Sequence, residues 1–303
     1  MKAASRAPGP RGAAPAAGPT RPRPPGAGRA ARGRAGVLAA LSLAASAGCV
    51  RVPPPDLSRD PDALLAQVRE AQALARTVRG SARVGVEHPG TSGTLDAWAA
   101  AEKPDRVRVE LLDFFGNPAS VLVAAAGRFS LYDARAGVLY RGEATPENLA
   151  RLLPLPLGAR DLTTLLCGSA PLLEGAPVAA EPDGGAMRLE LAGADGRQLL
   201  WVGEGAAVRA ARLEPATGSR ARGWSAEFDV FRRRAGARVP TDSELRAPEG
   251  RVTLHWKEDL EVNVGVDPAT FRMDAPRGAR VVDLGAGDVM PEVSLPLRAA
   301  PRP

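Results

Sequence analysis

The sequence has 303 residues, a net charge of +6, 45% hydrophobic residues and 4% aromatic residues. That length and composition suffice for a hydrophobic core in one large domain or two small ones. Eight basic residues and no acidic ones precede Cys49, and subtracting their charge leaves −2 for residues 49–303. The basic character therefore belongs to the leader, which removes the main argument for a nucleic-acid partner.

The leader has two parts. Residues 1–35 are mostly Pro, Gly, Ala and Arg, a composition typical of a disordered segment or of one upstream of the true start codon. The short apolar run Val37–Ala47 follows arginines and has the layout of a secretory signal rather than of a spanning helix. Residues 46–49, Ser-Ala-Gly-Cys, resemble a bacterial lipobox, whose cysteine is acylated and becomes the mature N-terminus. We predict a leader and signal peptide over residues 1–48 and lipidation at Cys49; the alternative is an ordinary secretory signal that leaves Cys49 as a free thiol.

A tether and a helix open the mature part. Residues 49–59 contain three consecutive prolines and indicate a stiff tether that holds a domain off a membrane. Asp60 is a suitable N-cap with Pro61 at the first helical position, and apolar residues follow at helical spacing as far as Val78. We predict that the domain begins at residue 60 with this helix and that Gly80 ends it.

An alternating pattern then predicts an antiparallel meander as far as Tyr140. One of its hairpins carries Val107 and Val109 on the first strand and has Phe114 and Phe115 at the turn. Neighbouring residues of an extended chain point to opposite faces, so both rings cannot enter one core if the strand continues through them. The alternative is a bend that tucks both rings under the sheet. An exposed aromatic at this tip would need a membrane, a ligand or another protein to receive it.

A leucine-rich helical insertion interrupts the strands. Thr145-Pro146-Glu147 is typical of a helix start, residues 154–158 break that helix, and a second helix is predicted from about Arg160 to Cys167. Seven leucines are too many for short helices with one buried face: Leu152, Leu153, Leu155, Leu157, Leu162, Leu165 and Leu166. They favour a lid over an apolar opening, and a helical pair packed on the sheet is an equal alternative. Cys167 is predicted to be a small core residue.

Alternating strand patterns resume after the insertion and continue to Val264. With the first meander they give about eleven strands, more than a flat sheet usually carries without curling. We predict a mainly β fold with helices, an incomplete, half-open antiparallel β-barrel with a helical lid over a hydrophobic cavity. The domain is predicted over residues 60–285 and a loose C-terminal tail over residues 286–303.

The order of these elements resembles the family of the outer-membrane lipoprotein receptor LolB and the periplasmic carrier LolA. The resemblance is carried by three stretches: Leu112-Asp113-Phe114-Phe115-Gly116-Asn117 at the hairpin, Leu153-Pro154-Leu155-Pro156-Leu157 with residues 162–168 in the insertion, and Asp267-Pro268-Ala269-Thr270-Phe271 near the end. It implies a cavity for lipoprotein acyl chains under the helices. It also implies that delivery requires the apolar residue before the hairpin glycine, a place that Phe115 occupies here. The chain departs from the family in its greater length and in having two aromatics where the receptor has one aliphatic residue.

The inward strand faces and this resemblance together define the predicted site. Phe114 and Phe115 form a membrane-insertion tip. The acyl-chain cavity and its lid comprise Val107, Val109, Trp224, Trp256 and the seven leucines of the insertion.

Motifs for other chemistry are missing from the sequence. It contains no Gly-x-Ser-x-Gly elbow, Walker loop or dinucleotide fingerprint, and two cysteines with two scattered histidines do not form a typical zinc site. We therefore predict neither enzymatic activity nor a cofactor nor a metal. The run Arg232-Arg233-Arg234 could contact anionic head groups or form a solvated charged turn.

The function that follows is lipid binding at the outer membrane, on the periplasmic side. Val50 is not the aspartate that retains lipoproteins at the inner membrane of enteric bacteria, which favours this location. The expected partners are lipoprotein acyl chains or other lipids, a LolA-like periplasmic carrier and the membrane, and the protein itself is expected to be a monomer. The alternative is an anchored structural or assembly lipoprotein that uses the same fold to bind a protein partner.

Overall fold

A computed structural model describes residues 52–89, 91–149 and 157–285. The predicted signal peptide, the lipidation site at Cys49 and the predicted tail over residues 286–303 lie outside these ranges. So do three of the seven lid leucines, Leu152, Leu153 and Leu155.

One large sheet dominates the fold. Within the described ranges its strands are β1 Thr77–His88, β2 Thr91–Glu102, β3 Arg106–Leu112, β4 Pro118–Ala125, β5 Arg128–Asp133, β6 Val138–Glu143, β7 Gly175–Asp183, β8 Ala186–Gly193, β9 Gly196–Val202, β10 Val208–Pro215, β11 Trp224–Arg234, β12 Ala237–Ala247, β13 Gly250–Trp256, β14 Glu261–Val262 and β15 Arg280–Asp283. They lie side by side in the order β15-β6-β5-β4-β3-β2-β1-β13-β12-β11-β10-β9-β8-β7, and β14 pairs with β1 beyond the end of β13. The edge strands β7 and β15 are not paired with each other, so the sheet is open and curled. The predicted mainly β, incomplete barrel is confirmed.

The described residues form fifteen strands where about eleven were predicted, and three of the fifteen were missed because they lack a clean alternating pattern. Strand β7 contains Pro177 and Pro182, which an edge strand tolerates because one row of its N–H groups needs no ladder partner. Strand β12 is interrupted by Pro240 and is largely polar. Strand β15 has four residues and pairs in parallel with β6.

The hairpins lie at two opposite rims of the sheet. Chain direction reverses at each antiparallel turn, so the pairing of neighbouring strands determines at which rim each turn lies. The turns β1–β2, β3–β4 and β12–β13 share one rim, which we call the tip rim. The turns β2–β3, β4–β5 and β11–β12 lie at the other, the far rim. Phe114 and Phe115 are therefore at the tip rim, and the Arg232-Arg233-Arg234 run is at the far rim.

Helices cover the inner face of this sheet. Helix α1, Pro61–Leu74, starts after Asp60, whose carboxylate accepts a hydrogen bond from the Ala63 N–H at 2.8 Å. It packs on β7 and β8, whereas α3, Ala159–Leu166, packs on β2 and β3; the short α2, Pro146–Leu149, lies between α1 and α3 in the chain. No helix in the described ranges is long and apolar enough to cross a membrane.

The first helix ends earlier than its apolar stripe predicts. It stops at Leu74, and Val78 and Gly80 belong to β1. The position of Val78 fits both the helical and the strand periodicity, but Thr77 and Val78 pair with β2 and are therefore part of a strand. Local periodicity cannot include this long-range pairing.

Part of the predicted tether packs on the domain. Leu57 is only 8% exposed and lies in the core cluster that contains Leu64 and Leu65. The Gln67 side chain holds this segment, because its Nε2 donates to the Asp56 carbonyl at 2.9 Å and its Oε1 accepts from the Ser58 N–H at 3.0 Å. Core packing therefore begins at Leu57, three residues before the predicted domain start.

Candidate functional site

The inner face carries three core clusters. We name them by a prominent element: the α1 cluster around Leu64, Leu200 and Trp224, the β5 cluster around Val107 and Phe129, and the β13 cluster around Val78 and Trp256. The two tryptophans predicted to line one cavity thus belong to two different clusters.

Helix α3 touches all three clusters. Leu165 is buried in the α1 cluster, Ala159 in the β5 cluster, and Cys167 just after the helix in the β13 cluster. Leu162 and Leu166 are half-buried, and each packs against two clusters. Helix α3 therefore fills the space where the three parts of the core meet.

The predicted cavity residues within the described ranges are close-packed side chains around α3. Five are buried, namely Val107, Leu157, Leu165, Trp224 and Trp256, and three are half-buried, namely Val109, Leu162 and Leu166. Helix α3 thus covers the inner face of the sheet as the predicted lid does, and a role in acyl binding stays a prediction for all eight residues. The lid leucines 152, 153 and 155 cannot be placed with them.

A glycine ends α3 in close contact with the sheet. Gly168 has φ 84, its N–H donates to the Leu165 carbonyl, and the Ser169 N–H donates to the Thr164 carbonyl. This is the Schellman pattern, in which a left-handed residue satisfies the last helical carbonyls. A side chain at this position would meet the Pro240 ring of β12. Gly168 therefore sets how closely the end of α3 approaches the sheet.

Cys167 is buried beneath that helix end. Burial raises the pKa of its thiol to about 11, and the charge of neighbouring Lys103 only partly offsets this. Burial also lowers the pKa of Lys103, whose ammonium donates to the Gln72 carbonyl near the end of α1. The predicted core role of Cys167 is confirmed, and the buried thiol is a poor nucleophile.

The tip of the β3–β4 hairpin presents two phenylalanines to solvent. Phe114 is 96% exposed and Phe115 is 83% exposed. Their rings contact each other edge-to-face with centroids 5.5 Å apart. The alternative in which both rings tuck under the sheet is therefore wrong. Two phenylalanine rings are exposed where strand alternation predicts one.

Asp113 holds the tip in one conformation. Its Oδ1 accepts hydrogen bonds from the N–H groups of Phe115 and Asn117, both at 2.8 Å. The Gly116 N–H donates to the Asp113 carbonyl at 3.0 Å, and Gly116 adopts φ 82. Hydrogen bonds from Asn117 and Phe115 lower the pKa of the Asp113 carboxyl. Sequence reasoning missed this role, although Asp at the first position of a turn is a known signal for it.

Replacing Asp113 should loosen the tip without unfolding the domain. In Asp113→Ala the N–H groups of Phe115 and Asn117 lose their acceptor, so we expect faster amide hydrogen exchange at both positions and unchanged melting. Because the folded-state pKa lies below the ordinary value of 3.8, the ordering is present above that value and is lost as pH falls through the lowered pKa. Asp113→Asn keeps an acceptor oxygen and is the matched control. Equal exchange rates in the alanine variant and the wild type would contradict this role.

The outer face of the sheet is covered by exposed ion pairs. Examples are Lys257 with Asp96 at 2.8 Å and Arg251 with Glu244 at 2.7 Å. Two open depressions of about 610 and 410 Å³ lie among such residues, the larger one beside Trp98 and the smaller one beside Thr94. Within the described part of the chain, no group of three or more His, Cys, Asp or Glu side chains could hold a metal ion. The described side chains thus offer non-covalent apolar contact at the tip and in the core.

Neither models of known protein families nor curated proteins match the sequence, whereas several solved structures do. A DUF1329 family protein from Desulfovibrio piger is 15% identical with a TM-score of 0.51 and covers 71% of this chain and 98% of its own. A putative outer membrane lipoprotein-sorting protein domain from Vibrio parahaemolyticus is 11% identical with a TM-score of 0.51, covering 70% and 97%. The chain shares the fold of these two proteins. A LolA superfamily protein from Nitrosomonas europaea also matches, at 11% identity and a TM-score of 0.49, covering 69% and 97%.

The shared fold extends over nearly the whole of both proteins and over most of the described part of this chain. At 11 and 15% identity the likeness concerns the fold alone.

Proposed function

We propose that this chain binds acyl chains of lipoproteins, or other lipids, and delivers them to the outer membrane without covalent chemistry. The observation that carries the proposal is the tip, where two phenylalanines stand in water on a turn fixed by Asp113. A phenylalanine that leaves water for an apolar phase gains about 2 kcal/mol. Keeping two of them exposed costs that free energy in solution, and contact with a bilayer recovers it.

The acyl-chain site in this proposal is the space that α3 now fills. Leu162 and Leu166 each pack between two clusters, so an outward movement of α3 would connect those clusters into one apolar space. Each methylene that enters gains about 0.8 kcal/mol, which replaces the contacts that the leucines give up. Because a bilayer is about as apolar as this core, loading and release differ by little free energy. Delivery then requires contact with the membrane rather than a chemical step.

Anchorage and supply complete the proposal. Acylated Cys49 would hold the domain at the outer membrane on its periplasmic side, and a LolA-like carrier would bring the cargo. The monomer is sufficient, because one chain carries both the tip and the core.

Analysis of co-purified lipid tests the proposal. We expect mass spectrometry of the purified mature protein to detect bound lipid in about equimolar amount, and added palmitate to displace it. A protein that carries no lipid and does not bind palmitate, yet co-purifies with one protein partner in fixed ratio, would instead be the assembly lipoprotein of the alternative.

Movement of α3 should make Cys167 reactive. The chain has two cysteines, so Cys49→Ala leaves Cys167 as the one thiol. At pH 8 a pKa of about 11 instead of 9.0 gives about a hundredfold less thiolate, and burial slows labelling further. We expect slow labelling by a thiol reagent, accelerated at least severalfold by palmitate, with the urea-unfolded protein as the upper limit. Palmitate that binds without changing the labelling rate would show that α3 does not open.

Loss of Cys49 should abolish anchorage. In the Cys49→Ala variant we expect no incorporation of a fatty-acid analogue during growth, and a protein that stays uncleaved or soluble. In the wild type the labelled protein should fractionate with the outer membrane. Label that survives in the variant would rule out lipidation at this residue.

A further inference from the structure

The β11–β12 hairpin ends at the far rim in a dense group of arginines. Arg232, Arg233 and Arg234 end β11, and Arg238 follows the two-residue turn Ala235-Gly236. The pairing of β11 with β10 stops at Glu227, so the rest of β11 pairs with β12 only. We call this projecting end, residues 231–238, the arginine hairpin.

One carboxylate, that of Glu204, forms ion pairs with two of these four guanidinium groups. Glu204 contacts Arg238 at 2.7 Å and Arg233 at 3.8 Å. Within the described residues no ion pair involves Arg232 or Arg234, and the Nε atom of Arg234 has no hydrogen-bond partner. Arg234 is half-buried and lines an open depression together with Glu258, Asp259 and Glu261, whereas Arg232 and Arg233 are exposed. The arginine hairpin therefore presents positive charge to solvent chiefly at Arg232 and Arg233.

The hairpin is held rigidly. Phe231 packs against the α1 cluster, and the Arg238 guanidinium lies over its ring at 5.9 Å from the centroid. Val230, just before it, has φ 52, a conformation that costs a β-branched residue free energy and that persists only where surrounding contacts enforce it. The Thr241 hydroxyl donates to the Val230 carbonyl at 3.2 Å and supports this bend. Arginines on a fixed support lose less conformational entropy on binding than arginines on a mobile turn.

We propose that the arginine hairpin docks an acidic segment of another protein. Planar guanidinium groups bind carboxylates through two parallel hydrogen bonds. Arg232 is exposed and Arg233 is exposed with only a long contact to Glu204, so both can make such contacts, and Arg234 adds charge beside them. The choice of a protein over a membrane rests on the proposed function, in which the tip rim faces the bilayer. Strand β12 has 11 residues and spans roughly 35 Å between the rims. Charges are screened over about 8 Å at physiological ionic strength, so the arginine hairpin lies beyond the field of the head groups.

Binding of a labelled deca-glutamate peptide tests the proposal. Fluorescence anisotropy would be measured on the mature protein at low and at physiological salt, for the wild type and for the triple variant Arg232→Gln, Arg233→Gln, Arg234→Gln. Arg238 is kept because it stabilises Phe231 and Glu204. The matched control neutralises three exposed arginines elsewhere, Arg135→Gln, Arg212→Gln, Arg220→Gln, so that both variants have the same net charge.

We expect salt-sensitive peptide binding that the hairpin variant weakens at least about tenfold, while the control stays within about twofold of the wild type. Equal weakening in both variants would mean a general charge effect and would overturn the proposal. So would binding of phosphatidylglycerol vesicles that depends on the same three arginines while the peptide does not bind. Phe115→Glu should leave peptide binding unchanged, so failure of the membrane tip and failure of the arginine hairpin are distinguishable.

Discussion

The Phe115→Glu variant should keep its fold and lose lipid delivery. Phe115 is 83% exposed and its ring packs edge-to-face on that of Phe114, so its removal should change the free energy of unfolding by less than about 0.5 kcal/mol. When the tip of this variant enters a bilayer, the roughly 2 kcal/mol of favourable transfer free energy from the Phe115 ring is missing, and the new carboxylate must be dehydrated at a further cost. Since about 1.4 kcal/mol corresponds to a factor of ten, we expect transfer of a fluorescent acyl donor to liposomes to fall by more than about tenfold. Binding of palmitate should be unchanged.

Two further variants sharpen that experiment. Phe114→Glu should give a milder defect, because the family resemblance assigns delivery to the residue directly before the hairpin glycine. Leu74→Glu is the matched control, since Leu74 is 52% exposed at the end of α1, away from the tip rim. It should transfer lipid as the wild type does. A melting temperature that drops sharply in Phe115→Glu, or normal transfer by that variant, would remove the tip from the mechanism.

Gly168→Ala should cause the largest loss of stability among these variants. The left-handed conformation at φ 84 costs an alanine about 1–2 kcal/mol. The new methyl group would also lie 2.3 Å from Cδ of Pro240, so α3 or β12 must shift, at a further cost of roughly 1–3 kcal/mol. A loss of about 3 kcal/mol corresponds to a fall of about 6–12 °C in melting temperature for a domain of this size.

Gly116→Ala separates the two causes. Gly116 has nearly the same φ, 82, but no atom lies within 4 Å of the position that its Cβ would take. We expect this variant to lose only the conformational part. Thermal melting of both variants measures the difference, and Cys167 labelling should accelerate in Gly168→Ala alone. Equal losses would mean that the contact between the end of α3 and Pro240 does not limit how closely they pack.

The sheet was predictable wherever one face is buried and the other is wet. Val107 and Leu131 lie in strands whose inward residues alternate with polar ones, and the period of two locates those strands correctly. Strand β12 was not predicted because Pro240 and several polar residues break that period, and its place in the sheet is fixed by its ladders with β11 and β13. Such pairing is a property of the assembled sheet.

The site was predictable as a set of residue types but not as an arrangement. Leucine content indicated that α3 covers apolar surface, yet no spacing reveals that Leu162 and Leu166 each touch two clusters. At the tip, alternation predicted one exposed phenylalanine. The Asp113 carboxylate closes a turn instead of letting the strand continue, which leaves both rings outside. Side-chain hydrogen bonds to the backbone override the strand period there.

The clamp that Gln67 places on residues 56–58 limits the freedom of an anchored domain. The Leu57 N–H donates to the Pro54 carbonyl, which ties Pro54 to the domain. If Cys49 carries the acyl chains, five Cα–Cα steps separate this anchor from Pro54. Fully extended, this linker of residues 49–54 reaches about 18 Å, far less than the roughly 35 Å between the two rims. The domain could then not drift away from the bilayer, and the tip would meet it by rotation instead of by diffusion. Lengthening this linker with a Gly-Ser insert after Val50 should therefore slow delivery and leave the affinity for acyl chains unchanged.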